Sequence, residues 1–355
     1  MSQNKTTQSD NLSALKRYRT GMQIMLEGAK ADTGQTLKEV IWTKNKAKLY
    51  HYEPKVEKRF SVPILIIYGL INRPYVLDLM PGNSFVEYLV EHGFDVFMLD
   101  WGTPGDEDKK LSFEDYVLDY IPRAVKKALR ATRAEEISLL GYCMGGTMAA
   151  MYAALFPDQS LRNLVLLTAP IDFTPADMGM FRLITSPKYF DPDHIVEAFG
   201  NVPGDLIDTG NRMLKPVTNF VGTYVTMWDR IMQGKSMDTW LAMNKWVNDG
   251  VPFVGEAFRQ WIRDFYQQNK LVKGEIVLRG RRVDLSNMRC HILSVAGSKD
   301  HICSLPQAQA IERFVSGKEI EFHVIDAGHV GLMTGSDAKK DVWPTIFHWL
   351  ELRSK

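Results

Sequence analysis

The sequence predicts an α/β fold: a mostly parallel sheet interrupted by a mainly helical lid insertion. Three observations predict it. From about residue 35 to residue 170, apolar strand-like runs alternate with amphipathic runs, and that alternation demands parallel strands joined by crossover helices on both faces. From about 171 to 287 the buried-strand signal gives way to Met, Phe, Trp and Tyr at helical spacing. Two further strand-like runs then resume near the C-terminus. The division that follows is 1–34, a polar arm with an amphipathic helix; 35–170 and 288–355, two parts of one core; and 171–287, the insertion.

The elements follow in order. Residues 1–11 are polar and expected to be disordered. From there Leu12, Leu15, Tyr18, Met22, Met25, Leu26 and Ala29 have helical spacing, for a helix that either lies on the domain or docks a partner. Val40–Thr43 and Lys48–Tyr52 alternate in polarity around a Lys-Asn-Lys-Ala turn and read as a hairpin of edge strands. Val62–Tyr68 is continuously apolar, as in a strand buried on both faces. A helix over Ser84–His92 stops at Gly93, and a strand over Phe94–Leu99 ends at Asp100-Trp-Gly102. Ser112 and Asp115 have capping-box spacing and open a helix from Phe113 to about Thr132, which Pro122 should kink. Ile137–Leu140 is a strand, Thr147–Phe156 a small-residue helix, and Asn163–Thr168 another strand.

Within the insertion, Trp240, Met243, Trp246 and Val247 recur at helical spacing, as do Trp261, Ile262, Phe265 and Tyr266. This segment covers the sheet edge, as its own core and as the lining of an apolar channel. His291–Ala296 and Glu319–Ile325 are the last strands, and a helix over Val342–Leu352 closes the chain.

Composition narrows the function. The chain has 355 residues, enough for one large α/β domain or two small ones, and its formal net charge of +1 gives no reason to expect nucleic acid. Three cysteines argue against a disulfide framework and for a reducing cytoplasm. The polar start lacks the apolar core of a signal peptide, and the longest apolar run, Val62–Ile71, is too short to span a bilayer. No His/Cys group has the local spacing of a metal site, and Gly141–Gly146 lacks the Gly-Lys-Ser/Thr ending of a phosphate loop. Neither a metal nor a cofactor is expected.

The chemistry gathers at Gly141-Tyr-Cys-Met-Gly145, a Gly-x-nucleophile-x-Gly elbow between a strand and a helix. Its glycines let the backbone pack closely, and its turn lifts Cys143 to a helix N-terminus, where free N–H groups favour a thiolate. In the α/β-hydrolase arrangement the order is nucleophile, acid, histidine, each after a strand. Cys143, Asp300 and His329 fit that order, His329 within Gly-His-Val-Gly. Asp326 and Asp100 are rivals of Asp300; His301 reads as structural, and Cys290 and Cys303 as packing residues. The oxyanion hole is expected from the backbone N–H of Met144 plus that of Leu70 or Ile71, with Ile71 preferred. Asn72 either hydrogen-bonds a reacting oxygen or caps its turn.

Cysteine in place of serine suits acyl transfer from a thioester to an alcohol, because the acyl group stays activated on sulfur until a hydroxyl attacks it. A cysteine thioesterase or lactone hydrolase of the same fold, and an inactive scaffold protein, are the alternatives.

Six stretches are similar to polyhydroxyalkanoate synthases: Tyr-Gly-Leu-Ile-Asn-Arg-Pro-Tyr (68–75), Leu-Asp-Trp-Gly (99–102), Gly-Tyr-Cys-Met-Gly-Gly (141–146), Arg-Gln-Trp-Ile-Arg-Asp-Phe-Tyr-Gln-Gln-Asn (259–269), Lys-Asp-His (299–301) and Gly-His-Val-Gly (328–331). The resemblance runs from roughly residue 35 to the end. Tyr142, Met144 and the stretch 40–46 most resemble the Bacillus-type class IV catalytic subunit, with class III the near alternative. The resemblance implies polymerisation of (R)-3-hydroxyacyl-CoA, chiefly 3-hydroxybutyryl-CoA, with release of CoA. It implies Cys143 as carrier of the growing chain, His329 as base, and Asp300 as orienter of His329 or activator of the hydroxyl. It further implies a small non-catalytic partner subunit, a homodimer or hetero-oligomer, and a cytoplasmic place on polymer granules.

Overall fold

The structure, a computed structural model, describes residues 2–27, 30–57, 60–157, 160–174, 180–315 and 319–355. Eight strands form the main sheet: β1 (Glu39–Lys44), β2 (Ala47–Tyr52), β3 (Ile64–Ile67), β4 (Val96–Asp100), β5 (Ile137–Tyr142), β6 (Leu161–Leu167), β7 (His291–Gly297) and β8 (Ile320–Ile325). Their spatial order is β1-β2-β4-β3-β5-β6-β7-β8. Pairings from β4 through β8 are parallel, and only β1–β2 and β2–β4 are antiparallel. The chain therefore steps from β3 to β4 on one side and then to β5 on the other. The carboxyl ends of β3 and β5 flank that reversal, which is where open α/β sheets place their sites.

The inner strands are buried on both faces and their side chains alternate between two cores. Leu65, Ile67, Phe97, Leu99, Leu139 and Leu164 join one, while Ile64, Ile66, Val96, Met98, Leu140 and Val165 join the other. The first core packs beneath the helices α3 (Phe113–Thr132) and α4 (Met144–Leu155); the second packs beneath α2 (Phe85–Glu91) and the final helix Trp343–Glu351. Ser84 caps α2 by accepting the N–H of Glu87 at 2.9 Å.

Three details differ from the sequence expectation. The hairpin is not two edge strands: β1 is the edge, and β2 lies inside between β1 and β4. Ala47, Leu49 and Tyr52 are buried there, so the alternation of β2 is that of an interior strand. Second, α3 does not simply kink at Pro122. It contains a π-helical turn, Tyr116–Tyr120, just before Pro122 at the second position of the following α-helical turn. Proline cannot donate an N–H, and the widened turn accommodates its ring. Third, the first helix, α1, spans Ser2–Glu27 and so includes residues expected to be disordered. No Gly or Pro interrupts residues 2–20, so nothing local stops the helix. Ala29, placed on this helix by its spacing, lies outside the described residues.

α1 rests on the 171–287 segment. Gly21 is buried against Trp228, Tyr18 meets the same ring at a tilt of 30° with centroids 5.8 Å apart, and Arg17 donates to the carbonyl of Met232 at 3.0 Å. The segment itself is mainly helical, with helices Pro192–Phe199, Gly204–Arg212, Thr223–Met232, Asp238–Val247 and Gly255–Gln260, the last running into a π-helical turn, Trp261–Gln267. It adds one two-stranded ribbon, Val277–Leu278 with Arg281–Arg282. It lies over the carboxyl ends of the strands. Trp246 Nε1 donates to the Arg73 carbonyl at 2.8 Å, Tyr75 Oη donates to Asp249 at 3.0 Å, and the N–H of Val251 reaches the Ile71 carbonyl at 3.4 Å. The 259–269 stretch supplies further ties. Gln260 accepts the N–H of Phe113 at 2.8 Å, Asn269 accepts that of Phe173 at 3.0 Å, and Arg259 and Arg263 both pair with Asp193. Among the described residues no helix is long and apolar enough to cross a membrane.

Candidate active site

Cys143 sits between β5 and α4 at φ 52° and ψ −126°, a strained backbone for a residue with a Cβ. Its N–H donates to the Leu167 carbonyl at 3.0 Å, which ties the turn to β6. The flanking glycines are required sterically. A Cβ at Gly145 would come within 2.2 Å of the Ile67 carbonyl oxygen, and one at Gly141 within 2.4 Å of the Gly146 Cα. The first turn of α4 can therefore press against the end of β3, with Met144 opening the helix and its N–H among the unpaired donors of a helix start. Gly69, in the loop after β3, faces Met144: a Cβ there would lie 3.6 Å from the Met144 Cβ. Ile71 follows in that loop, its carbonyl turned to Val251. Asn72 lies under Gly250, its amide oxygen 3.9 Å from where a Cβ on that glycine would be.

His329 follows β8 and Asp300 follows β7. The Nδ1 of His329 donates to Asp300 Oδ2 at 2.7 Å, and both side chains are buried. A carboxylate can only accept, so Nδ1 carries the hydrogen and Nε2 is left for the sulfur, with which the ring is in hydrogen-bond contact. Asp300 is itself held on every side. Oδ2 also accepts from Thr168 Oγ1, and Oδ1 accepts the N–H groups of Ile302 at 2.8 Å and Cys303 at 3.0 Å. Burial works against its charge, but His329 and these donors outweigh burial and hold its pKa below the ordinary value. For His329 burial favours the neutral ring, yet the Asp300 carboxylate and the Cys143 sulfur win and push its pKa up to about 10.

The structure thus brings Cys143, His329 and Asp300 together from the ends of three strands. The two rival aspartates are engaged elsewhere. Asp326 is exposed and pairs with Ser298 and Lys299, and Asp100 accepts the N–H of Gly102 at 2.9 Å. His301 has an unpartnered, buried Nδ1, and burial, with Lys215 nearby, lowers its pKa. Cys290 and Cys303 are buried.

Several residues at the site have roles that the motifs do not announce. Thr168 ends β6 at φ 46°, an uncommon backbone for a β-branched residue, and aims its hydroxyl at Asp300. Tyr142 stacks on Tyr68 with centroids 5.4 Å apart and donates its hydroxyl to the His329 carbonyl at 3.2 Å. Tyr266 of the helical segment completes a wall of phenols near Cys143; burial raises the pKa of all three, followed by the neighbouring sulfur for Tyr68 and Tyr266 and by Tyr68 and then the sulfur for Tyr142. A separate group, Glu39, His51 and Glu53, also gathers ligand atoms, all within 4.8 Å of one another, but at the amino edge of the sheet.

Comparison with known proteins agrees with this fold. Residues 62–336 match the α/β hydrolase fold family, and residues 14–89 match the N-terminus of poly-beta-hydroxybutyrate polymerase (PhaC). Among solved structures, an esterase from Thermogutta terrifontis superposes with a TM-score of 0.52 at 18% identity, covering 91% of this chain and 100% of that one. A thioesterase domain from the curacin biosynthetic pathway gives a TM-score of 0.52 at 13% identity, covering 88% and 99%. These two show the fold alone. The sequence relatives say more. The chain is 39% identical to a poly(3-hydroxyalkanoate) polymerase subunit PhaC of Haloferax mediterranei, over 92% of this chain and 66% of that longer protein. It is 35% identical to the subunit of the same name from Synechocystis, over 97% and 92%, and 34% identical to that of Allochromatium vinosum, over 94% and 93%. With a hydrolase-fold core, an elbow cysteine and full-length similarity of this kind, the chain belongs to the poly(3-hydroxyalkanoate) polymerase PhaC family, a family of acyltransferases.

Proposed function

We propose that this chain polymerises (R)-3-hydroxyacyl-CoA, chiefly 3-hydroxybutyryl-CoA, through a covalent thioester on Cys143. The observation that carries this reading is the line Cys143–His329–Asp300, with His329 Nδ1 hydrogen-bonded to Asp300 at 2.7 Å and Nε2 left for the sulfur. His329 takes the thiol proton as Sγ attacks the thioester carbonyl. The carbon–sulfur bond to CoA breaks, and CoA leaves with the proton returned by His329. The acyl group is now a thioester of Cys143. A 3-hydroxyl then attacks it, His329 accepts the hydroxyl proton, an oxygen ester forms and the Cys143 sulfur is released. Transfer from CoA to Cys143 exchanges one thioester for another and keeps the acyl group activated; attack by the hydroxyl turns thioester into oxygen ester, and that step runs downhill.

Asp300 holds the histidine tautomer and supports the charged ring. The N–H groups of Met144 and Ile71 bind the developing oxyanion, with Asn72 beside them. The helical segment over the strand ends acts as a lid that keeps water from the acyl-enzyme, which is the difference between a transferase and a hydrolase on this fold. A small non-catalytic subunit and the surface of a cytoplasmic polymer granule are the remaining partners, as in the short, two-subunit class IV type.

The test is direct. The purified chain, with and without a small partner subunit, is given 3-hydroxybutyryl-CoA, and both CoA release and insoluble polymer are followed. Polymer formation that is abolished in Cys143→Ala is the expected result. CoA release with free acid alone makes the protein a hydrolase, and full polymerisation by Cys143→Ala removes the covalent mechanism.

A further inference from the structure

Strand pairing collects a second polar group far from the catalytic cysteine. Glu39 on β1 is the register partner of His51 on β2. Glu53 follows the end of β2 and its carboxylate meets the same two side chains. His51 is in turn the register partner of Phe97 on β4, and Asp95, two residues before Phe97, again shares that side. β2 runs antiparallel to β4, so the group lies at the amino edge of the parallel strands, opposite the edge that carries Cys143.

His51 is 93% buried and its ring is locked, stacked on Phe97 with centroids 4.3 Å apart and planes 6° from parallel. Its Nε2 lies 3.0 Å from Asp95 Oδ1. A carboxylate can only accept, so Nε2 carries the hydrogen there and Nδ1 is left to meet Glu39 and Glu53. That nitrogen is buried with no hydrogen-bond partner, at 3.5 Å from Glu39 Oε1. A neutral imidazole would aim a lone pair at two carboxylates; burial favours that neutral ring while Asp95 and Glu39 raise its pKa, so either a proton on Nδ1 or a metal cation between the groups relieves the repulsion. A carboxylate behind an imidazole whose other nitrogen faces further ligands is the second-shell pattern of metal-binding histidines.

We propose that Glu39, His51 and Glu53 bind a divalent transition-metal ion of the zinc class, with Asp95 orienting the histidine. Imidazole and carboxylate are the donors such ions take, and three protein ligands leave a position for water. The ligand atoms lie within 4.8 Å of one another, and the two exposed glutamates can rotate to close that distance around an ion while the buried histidine stays fixed. The role is structural. The ion staples the start of β1, where the chain arrives from α1, to β2 and β4. No sequence-local spacing announces it, because two strands contribute the ligands.

The experiment uses the full chain in a Cys143→Ala background, so that the catalytic sulfur does not compete, and titrates metal-free protein with Zn2+ by calorimetry and with Co2+ by visible absorption. One equivalent bound per chain is expected, with a raised Tm. In Glu39→Gln/Glu53→Gln the affinity falls at least tenfold while the circular dichroism is unchanged; both residues are exposed, so the variant folds. Asp95→Asn weakens binding about 10- to 100-fold. Absence of binding in the parent chain, or equal stoichiometry and affinity in the double glutamine variant, overturns the proposal.

Discussion

At the scale of the residue, the site is governed by two groups whose pKa values are pulled apart. His329 is raised to about 10, so the stability it contributes is fully present below the unfolded histidine value and fades as pH rises through about 10. Asp300 is lowered, so its contribution is present above the unfolded carboxylate value and is lost on acidification. In Asp300→Asn the Tm deficit is therefore largest between about pH 5 and 6.5 and narrows toward about pH 10. A deficit of constant size across that range would contradict the pairing. The same variant should lose on the order of 10³-fold or more in CoA release, because the amide no longer fixes the tautomer. Thr168 acts through Asp300. Thr168→Val keeps the β-branched shape but removes the donor, and about a tenfold loss in kcat is expected, restored by Thr168→Ser. Loss without rescue by serine would assign Thr168 to backbone geometry instead. The elbow was legible because sterics dictate its glycines: the carbonyl of Ile67 leaves no room for a side chain at residue 145. Thr168 and Tyr142 were not legible, because their roles depend on a positive φ and a ring stack that no spacing encodes.

At the scale of the element, two helices depart from simple amphipathic reading. α3 absorbs Pro122 with a π turn, a choice that depends on local backbone geometry and leaves no trace in the spacing of apolar residues. Among the described side chains of α1, Leu15, Tyr18, Met25 and Leu26 are exposed. At Gly21 the helix lies so near Trp228 that a side chain would enter the space of the ring within 2.4 Å. Gly21→Leu should undock α1. Limited trypsinolysis at Lys16, Arg17 and Arg19 would become faster while the main unfolding transition keeps its Tm. Unchanged cleavage would mean that α1 is held by something other than this contact. The succession of strands and helices along the core was readable because each buried run is continuous and each crossover helix has a clear start. The interior place of β2 was not, since an alternating strand looks the same at an edge and next to one.

At the scale of the whole molecule, the helical segment and the core meet at one loop. Residues 69–75 receive Trp246, Asp249 and Val251 from above, and the same stretch carries Ile71, whose N–H belongs to the proposed oxyanion hole. Tyr75→Phe removes the hydrogen bond to Asp249 and loosens that junction. The expected outcome is shorter polymer, read by the molar mass of the extracted product, with a larger share of free acid. Polymer of unchanged mass and yield would show that the junction does not control elongation. The coupling has a consequence for how product length is set. Under the proposed oxyanion hole, lifting the segment to let a chain slip would drag the loop away from the oxyanion, so release and reaction would exclude one another. Such an enzyme would work on a duty cycle, and the length of the polymer would reflect the ratio of two dwell times, one closed and reactive, one open and silent, more than the intrinsic speed of either chemical step.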